Sequence, residues 1–299
     1  MPLAAFPKCY LNALIVDRTM TLEEWIESAA RELDVDGLEF YWGFTPASSM
    51  ERQRVRKIVE QAGLSVPMMC YSPDFIQPDP IDRAEEIRRQ QEVIVATAEL
   101  GGRLCRVLSG QRRPGVTRED GLKMAADAIC ELIPFAANHG VCLILENHYK
   151  DGFWEYPEFA QRKDDFLELL ARIPEHPSFG VNYDPSNALI AGDDPIELLQ
   201  AVKRRVVSMH ASDRFFAEGT AEDLRRMDLD PRTGYAKLLR HGVIGRGCID
   251  YPGIFSILRD VGFKGWISIE DGDDPTVGMT HLRESADFLR RMMAAHGIG

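Results

Sequence analysis

Residues 141–148 read VCLILENH, an apolar run that ends abruptly in Glu146, Asn147 and His148. Side chains alternate across a strand, so Cys142, Ile144, Glu146 and His148 share one face, and Val141, Leu143, Leu145 and Asn147 share the other. The stretch reads as a buried strand that presents two titratable groups at its C-terminal end. A fold made of such strands would gather polar chemistry at one rim.

Working outward, short β-type runs alternate with amphipathic helical stretches along nearly the whole chain. Strands are expected near 7–12, 37–42, 65–71, 103–109, 141–148, 179–184, 206–212 and 266–271. Helices are expected near 21–33, 48–62, 80–100, 117–138, 162–172, 194–204, 251–261 and 277–295. Thr21 with Glu24 forms a capping-box signature, and Gly63, Gly101, Gly140 and Gly262 each follow a helical run, where a left-handed C′ residue belongs. Eight alternations point to an α/β chain folded as a single (β/α)8 TIM barrel over residues 1–299. The doubly wound alternative wants a glycine fingerprint after the first strand, and PKCYLNALIVDR has none. GVIGRG at 242–247 has the wrong spacing, so no nucleotide cofactor is expected. One connection is long: more than 50 residues separate the seventh and eighth strands, with 213–250 as a candidate lid or interface.

Composition narrows the function. The net charge is −12, from 35 Lys and Arg against 47 Asp and Glu, with no basic run. Neither nucleic acid nor an anionic membrane is an expected partner, because both need a basic face. The apolar runs are strand-sized, and the N-terminus carries two prolines without the charged start of a signal peptide. Six scattered cysteines without a CxxC pair read as buried reduced thiols of a cytoplasmic protein.

In a barrel of this kind the chemistry lies at the C-terminal strand ends. There four consecutive strands each place one metal-type ligand inward: Glu146, Asp184, His210 and Glu270. Ser208 and Ser268 share their face, while Val207, Met209, Ile267 and Ile269 should meet the helices. Three ionised carboxylates side by side repel one another unless a cation lies between them. An oxygen-rich set with one imidazole favours Mn²⁺ first, with Mg²⁺ or Co²⁺ as alternatives.

The contexts LILEN, GVNYDPSN, SMHASD and WISIED resemble the xylose isomerase-like TIM barrels, the sugar phosphate isomerase/epimerase superfamily, over essentially the whole chain. That resemblance implies one divalent metal held by Glu146, Asp184, His210 and Glu270. It also implies a carbohydrate substrate. The apurinic endonucleases of this fold carry extra histidines, and the keto-sugar epimerases a histidine three residues after the aspartate. Asn187 stands at that place here.

The expected reaction is proton transfer beside a carbonyl through a metal-stabilised enediolate. Two versions are open: a keto-sugar isomerase or epimerase, or a lyase that goes on to eliminate a β substituent from a keto-inositol or 3-oxo-glycoside. Glu146 and Glu270 are the candidate proton-transfer pair. His148 is a further acid/base or a structural histidine bonded to the next loop. Arg214 reads as a substrate contact or a solvated loop residue, and Asp213 as a group that orients His210 or a loop. Asn12 and Asn187 are candidate hydroxyl binders. Tyr71, Trp154 and Tyr156 are a candidate aromatic wall, and Glu39 with Arg106 a candidate interior ion pair. His139, His176, His241, His281 and His296 read as surface residues. Self-association, and possible service to a small partner subunit, follow from the resemblance alone.

Overall fold

The computed structural model describes residues 1–226, 238–270, 272 and 274–298. Its strands are β1 (Leu3–Ala5), β2 (Gly37–Leu38), β3 (Phe40–Tyr41), β4 (Met68–Cys70), β5 (Leu104–Val107), β6 (Cys142–Glu146), β7 (Phe179–Tyr183), β8 (Val206–Ala211), β9 (Asp213–Phe216), β10 (Leu239–Gly242) and β11 (Trp266–Ile269). Nine of them form one parallel sheet in the order β2-β1-β11-β8-β7-β6-β5-β4-β3, while β9 and β10 make a separate antiparallel pair. The two ends of the sheet, β2 and β3, are successive halves of one stave interrupted at Glu39. β2 pairs with β1 and β3 with β4, so the ring closes as an eight-stave barrel.

The helices are α1 (Leu22–Glu32), α2 (Ser49–Gln61), α3 (Pro80–Glu99), α4 (Arg118–Asn138), α5 (Lys163–Arg172), α6 (Pro185–Ile190), α7 (Pro195–Val202), α8 (Ala221–Arg226), α9 (Tyr251–Asp260) and α10 (Gly278–Ala295). The Thr21 capping box is formed: its Oγ1 accepts from the Glu24 amide, and Glu24 accepts from the Thr21 amide at 2.7 Å. Gly63 and Gly140 adopt the left-handed backbone of a helix C′ residue, at φ +76° and +68°. No helix of the described residues is long and apolar enough to cross a membrane.

Strand alternation divides the core into two layers. Leu143, Leu145, Val181, Met209, Ala211, Ile267 and Ile269 pack outward under the helices. Met68, Cys70 and Ile144 form a small plug inside the barrel, below the polar rim. Val207 is a correction. The register places Val181 opposite Val206 and Asn182 opposite Ser208, so Val207 is an extra residue in a bulge and packs on the interior plug instead of the helices.

The first stave is also corrected. It is Leu3–Ala5, paired on both sides, and not 7–12, where Lys8–Tyr10 is a 3-10 turn and Asn12–Val16 a π turn. Pro7 has no amide hydrogen to give a neighbouring strand, so the ladder stops before it. The consequence matters for the site, because Lys8 is set down on the rim. The long connection carries β9, α8 and β10, and its residues 227–237 lie outside the described residues.

Candidate metal centre and its cavity

Glu146 closes β6, Asp184 follows β7, His210 lies on β8 and Glu270 follows β11. One ligand atom from each lies within 4.8 Å of all the others; Glu146, Asp184 and His210 are buried, and Glu270 is nearly so. The polypeptide fixes them one by one. Asp184 caps α6, its Oδ1 accepting from the Asn187 amide at 2.9 Å and the Ser212 hydroxyl at 2.9 Å. Asn147, on the opposite face of the strand from Glu146, bonds the Asp184 backbone through both ends of its amide. Glu146 accepts from Arg106 Nη1 at 2.9 Å and from Asn187 Nδ2 at 3.2 Å. His210 Nδ1 lies 3.1 Å from Glu146 and 3.0 Å from Glu270. Lys8 Nζ donates to Glu270 Oε1 at 2.9 Å.

The charges oppose burial in different ways. Burial pulls the Glu146 carboxyl upward, but His210, Arg106 and His148 outweigh it and bring it down to about 2. For Glu270 burial is likewise outweighed, by Lys8 and His210, and its carboxyl is held well below the ordinary range. For Asp184 the attraction of His210 does not offset burial and the charges of Glu270 and Glu146, which push its carboxyl up to about 6. Burial alone would make His210 less basic, but Glu39, Glu146 and Glu270 raise it well above the usual histidine value. A buried set of three carboxylates and one imidazole, with one acid left undercompensated, is the donor chemistry of a divalent cation with a preference for oxygen.

Beside this cluster opens a cavity of about 510 Å³. Lys8, Arg106, His148 and Glu270 line its polar end, and Phe6, Ile15, Tyr41 and Phe153 its apolar wall. Asn12 lies at the mouth on the π turn, and Asn187 is buried against Glu146 instead. The expected aromatic wall is therefore corrected. Tyr71 points its hydroxyl at Glu86 on α3 (2.9 Å), and Trp154 stands edge-on behind His148, with ring centres 6.4 Å apart. Neither Tyr71, Trp154 nor Tyr156 lines the cavity; Phe6, Tyr41 and Phe153 do.

His148 Nδ1 lies 3.3 Å from Glu158, whose other oxygen is held by the Ser109 amide and hydroxyl. Burial would depress this imidazole, but the Glu158 contact and the Glu146 charge raise its pKa. Asp213 accepts from the amides of Gly245, Gly247 and Ile249, so it organises a loop and not His210. Arg214, on β9, is buried and near enough to Lys8 and His241 to disfavour their charged forms. The interior pairing of Glu39 with Arg106 is not formed. Arg106 takes Glu146, and Glu39 takes His210 at 3.1 Å.

Two further expectations change. His241 is half-buried and not simply a surface residue: it sits on β10 near Lys8, Arg214 and Glu270, and burial pushes it toward the neutral form. Cys9, Cys70 and Cys105 are buried thiols, but Cys248 is exposed and bonds the Arg214 carbonyl. Lys8 and Glu158 were not among the expected site residues. An inward lysine just beyond a correctly placed first strand would have found Lys8; Glu158 lies in a loop, where alternation offers no signal.

The model of one protein family, described as xylose isomerase-like TIM barrel, matches residues 28–292. A relative called inosose dehydratase, from Geobacillus kaustophilus (strain HTA426), is 34% identical over 176 residues, 58% of this chain and 51% of that protein. The chain spans about half the length of the curated relatives first matched. Among solved structures, a D-tagatose 3-epimerase-like protein superposes with a TM-score of 0.75 at 16% identity, covering 99% of this chain and 98% of its own. An IOLI protein with a binding zinc atom gives 0.75 at 14% identity, with 99% of each chain covered. At such identities the likeness is one of fold.

Proposed function

The chain belongs to the xylose isomerase-like TIM barrel family, and from that membership we propose that it is a metal-dependent lyase that dehydrates a cyclic keto-polyol. One observation carries the choice of lyase over epimerase. Epimerisation by two carboxylates needs both on the substrate, one on each side of the reacting carbon. Here the Glu146 side chain is 0% exposed and engaged by Arg106, Asn187 and His210, whereas Glu270 is 12% exposed and lines the cavity with Lys8 and His148. The group that shares the cavity with Glu270 is an imidazole whose partners favour its protonated form. A carboxylate base and an imidazolium acid suit elimination.

Glu146, Asp184, His210 and Glu270 would hold the cation, which supplies a Lewis acid for the substrate's carbonyl oxygen. Glu270 takes the proton from the carbon next to the carbonyl, and Lys8 keeps that carboxylate ionised and aimed. His148, set by Glu158, gives its proton to the hydroxyl on the following carbon, which leaves as water. The C–H electron pair becomes the new C=C, the C–O pair departs with the oxygen, Glu270 gives its proton to solvent, and solvent reprotonates His148. The product is an unsaturated ketone or its dicarbonyl tautomer. Arg106 and Asn12, which line the same cavity, would meet the remaining hydroxyls. The inosose dehydratase relative supports a keto-inositol as the first substrate to try.

The test is NMR in D₂O with metal-loaded protein and a panel of ketoses, inososes and 3-oxo-glucosides. Loss of water with a new enone is expected for an inosose; deuterium uptake with an epimer or aldose as the product would overturn the lyase reading. His148→Gln should slow elimination by ~10²–10⁴-fold, the usual worth of a positioned acid, while deuterium exchange at the α carbon persists.

A further inference from the structure

Glu39 is fully buried at the break between β2 and β3, where the second stave exchanges β1 for β4 as its neighbour. Both of its carboxylate oxygens lie 3.1 Å from Nε2 of His210. Oε1 also accepts the Cys70 thiol at 2.7 Å. The four-ligand cluster meets the other edge of the same ring, where Nδ1 faces Glu146 and Glu270. The chain thus presents one imidazole nitrogen to the cluster and the other to a carboxylate outside it.

A neutral imidazole carries one proton, and a carboxylate at one nitrogen holds the proton there. We propose that Glu39 is a positioning residue for His210: it fixes the Nε2–H tautomer and the ring plane, so that the Nδ1 lone pair is offered to the divalent cation. The proposal rests on the metal reading above. The Cys70 thiol restrains the carboxylate from turning away. A purely structural account fares worse, because Glu39 sits above an interior plug of Met68, Cys70 and Ile144, where an apolar side chain would avoid burying a charge. The rival account is a second ion held by Glu39, Cys70 and His210, whose ligand atoms lie within 4.8 Å of one another.

The experiment titrates the metal-free full chain with Co²⁺, following its visible absorption and the heat of binding. The chains compared are wild type, Glu39→Met, Glu39→Gln and the ligand control Asp184→Asn. Expected are one Co²⁺ per wild-type chain and ~10–100-fold weaker binding with an altered band in Glu39→Met, the usual loss when such a partner is removed. The metal-free Glu39→Met chain should melt at a lower temperature, because the His210 Nε2–H and the Cys70 thiol lose their buried acceptor, so the Co²⁺ affinity and band, not the melt, decide the positioning role. Glu39→Gln, whose amide oxygen still accepts from Nε2–H, should keep the wild-type band. Wild-type affinity and spectrum in Glu39→Met, or two Co²⁺ per wild-type chain with one lost in that variant, would overturn the positioning role alone. A wild-type chain that takes up no Co²⁺ overturns the metal reading and this role together. Should Glu39→Met not fold, Glu39→Gln decides, and a loss there as large as in Asp184→Asn counts against the proposal.

Discussion

The Lys8 ammonium sits 2.9 Å from Glu270, in a pair whose side chains are 22% and 12% exposed. Burial acts against both charges, and each is restored by the other: Lys8 stays above its ordinary value and Glu270 well below. As the base, Glu270 must be ionised. Replacing Lys8 by Met removes the cation that favours ionisation, so the Glu270 pKa rises and the acid limb of kcat/KM moves to higher pH. The alkaline limb should stay in place. A pH–rate profile at saturating metal, where the ion keeps Asp184 ionised, checks this, and an unmoved acid limb would remove Lys8 from the machinery. The same residue shows where sequence reasoning reached its edge. Glu146, Asp184, His210 and Glu270 were legible because each ends an apolar run at a matching depth, and alternation alone turns them inward. Lys8 was hidden by a misplaced first strand. Alternation turns Glu39 inward but does not identify its partner, since the contact with His210 joins residues 171 apart in the chain.

At the level of elements, helix boundaries were the most legible feature because caps are local chemistry. Asp79, Thr117, Asp194 and Asp250 each accept a backbone amide at the start of a helix. The short helix α6 was not anticipated, although Asp184-Pro185 is a cap followed by a first-turn proline. The break at Glu39 and the bulge at Val207 left no local mark. Tertiary contact can also reverse a local preference. Gly121 lies inside α4, where Gly→Ala ordinarily stabilises by ~1 kcal/mol. Here an added Cβ would come 2.2 Å from the buried Phe159 ring. Gly121→Ala should therefore lower the melting temperature, because Phe159 is pinned by its backbone amide to Gly110 and cannot simply withdraw. A thermal melt decides it, and a rise would mean that the ring yields.

For the whole molecule, the metal centre couples folding to both cation and proton. Without the ion, burial and neighbouring acids hold the Asp184 carboxyl at about 6, and three acids keep His210 protonated. A cation binds the ionised carboxylate and the unprotonated Nδ1, so binding releases protons and weakens as pH falls. Asp184 sets the sign in the acid range: above about 6 it is already ionised, and below that pH the ion must displace its proton. An ion that binds only the folded chain at 100 times its Kd adds ~2.7 kcal/mol of stability. For 299 residues this raises Tm by ~4 °C, from an unfolding entropy of ~2.1 cal/mol/K per residue. The gain from Mn²⁺ should therefore be present at pH 7.5 and largely lost by pH 5. Ionic strength must be held constant so that screening of the −12 net charge is not mistaken for site binding. Asp184→Asn should abolish the gain at both pH values. A rise in Tm that is the same at pH 5 as at pH 7.5, or that survives in Asp184→Asn, would mean that the cation stabilises the chain from somewhere other than this cluster.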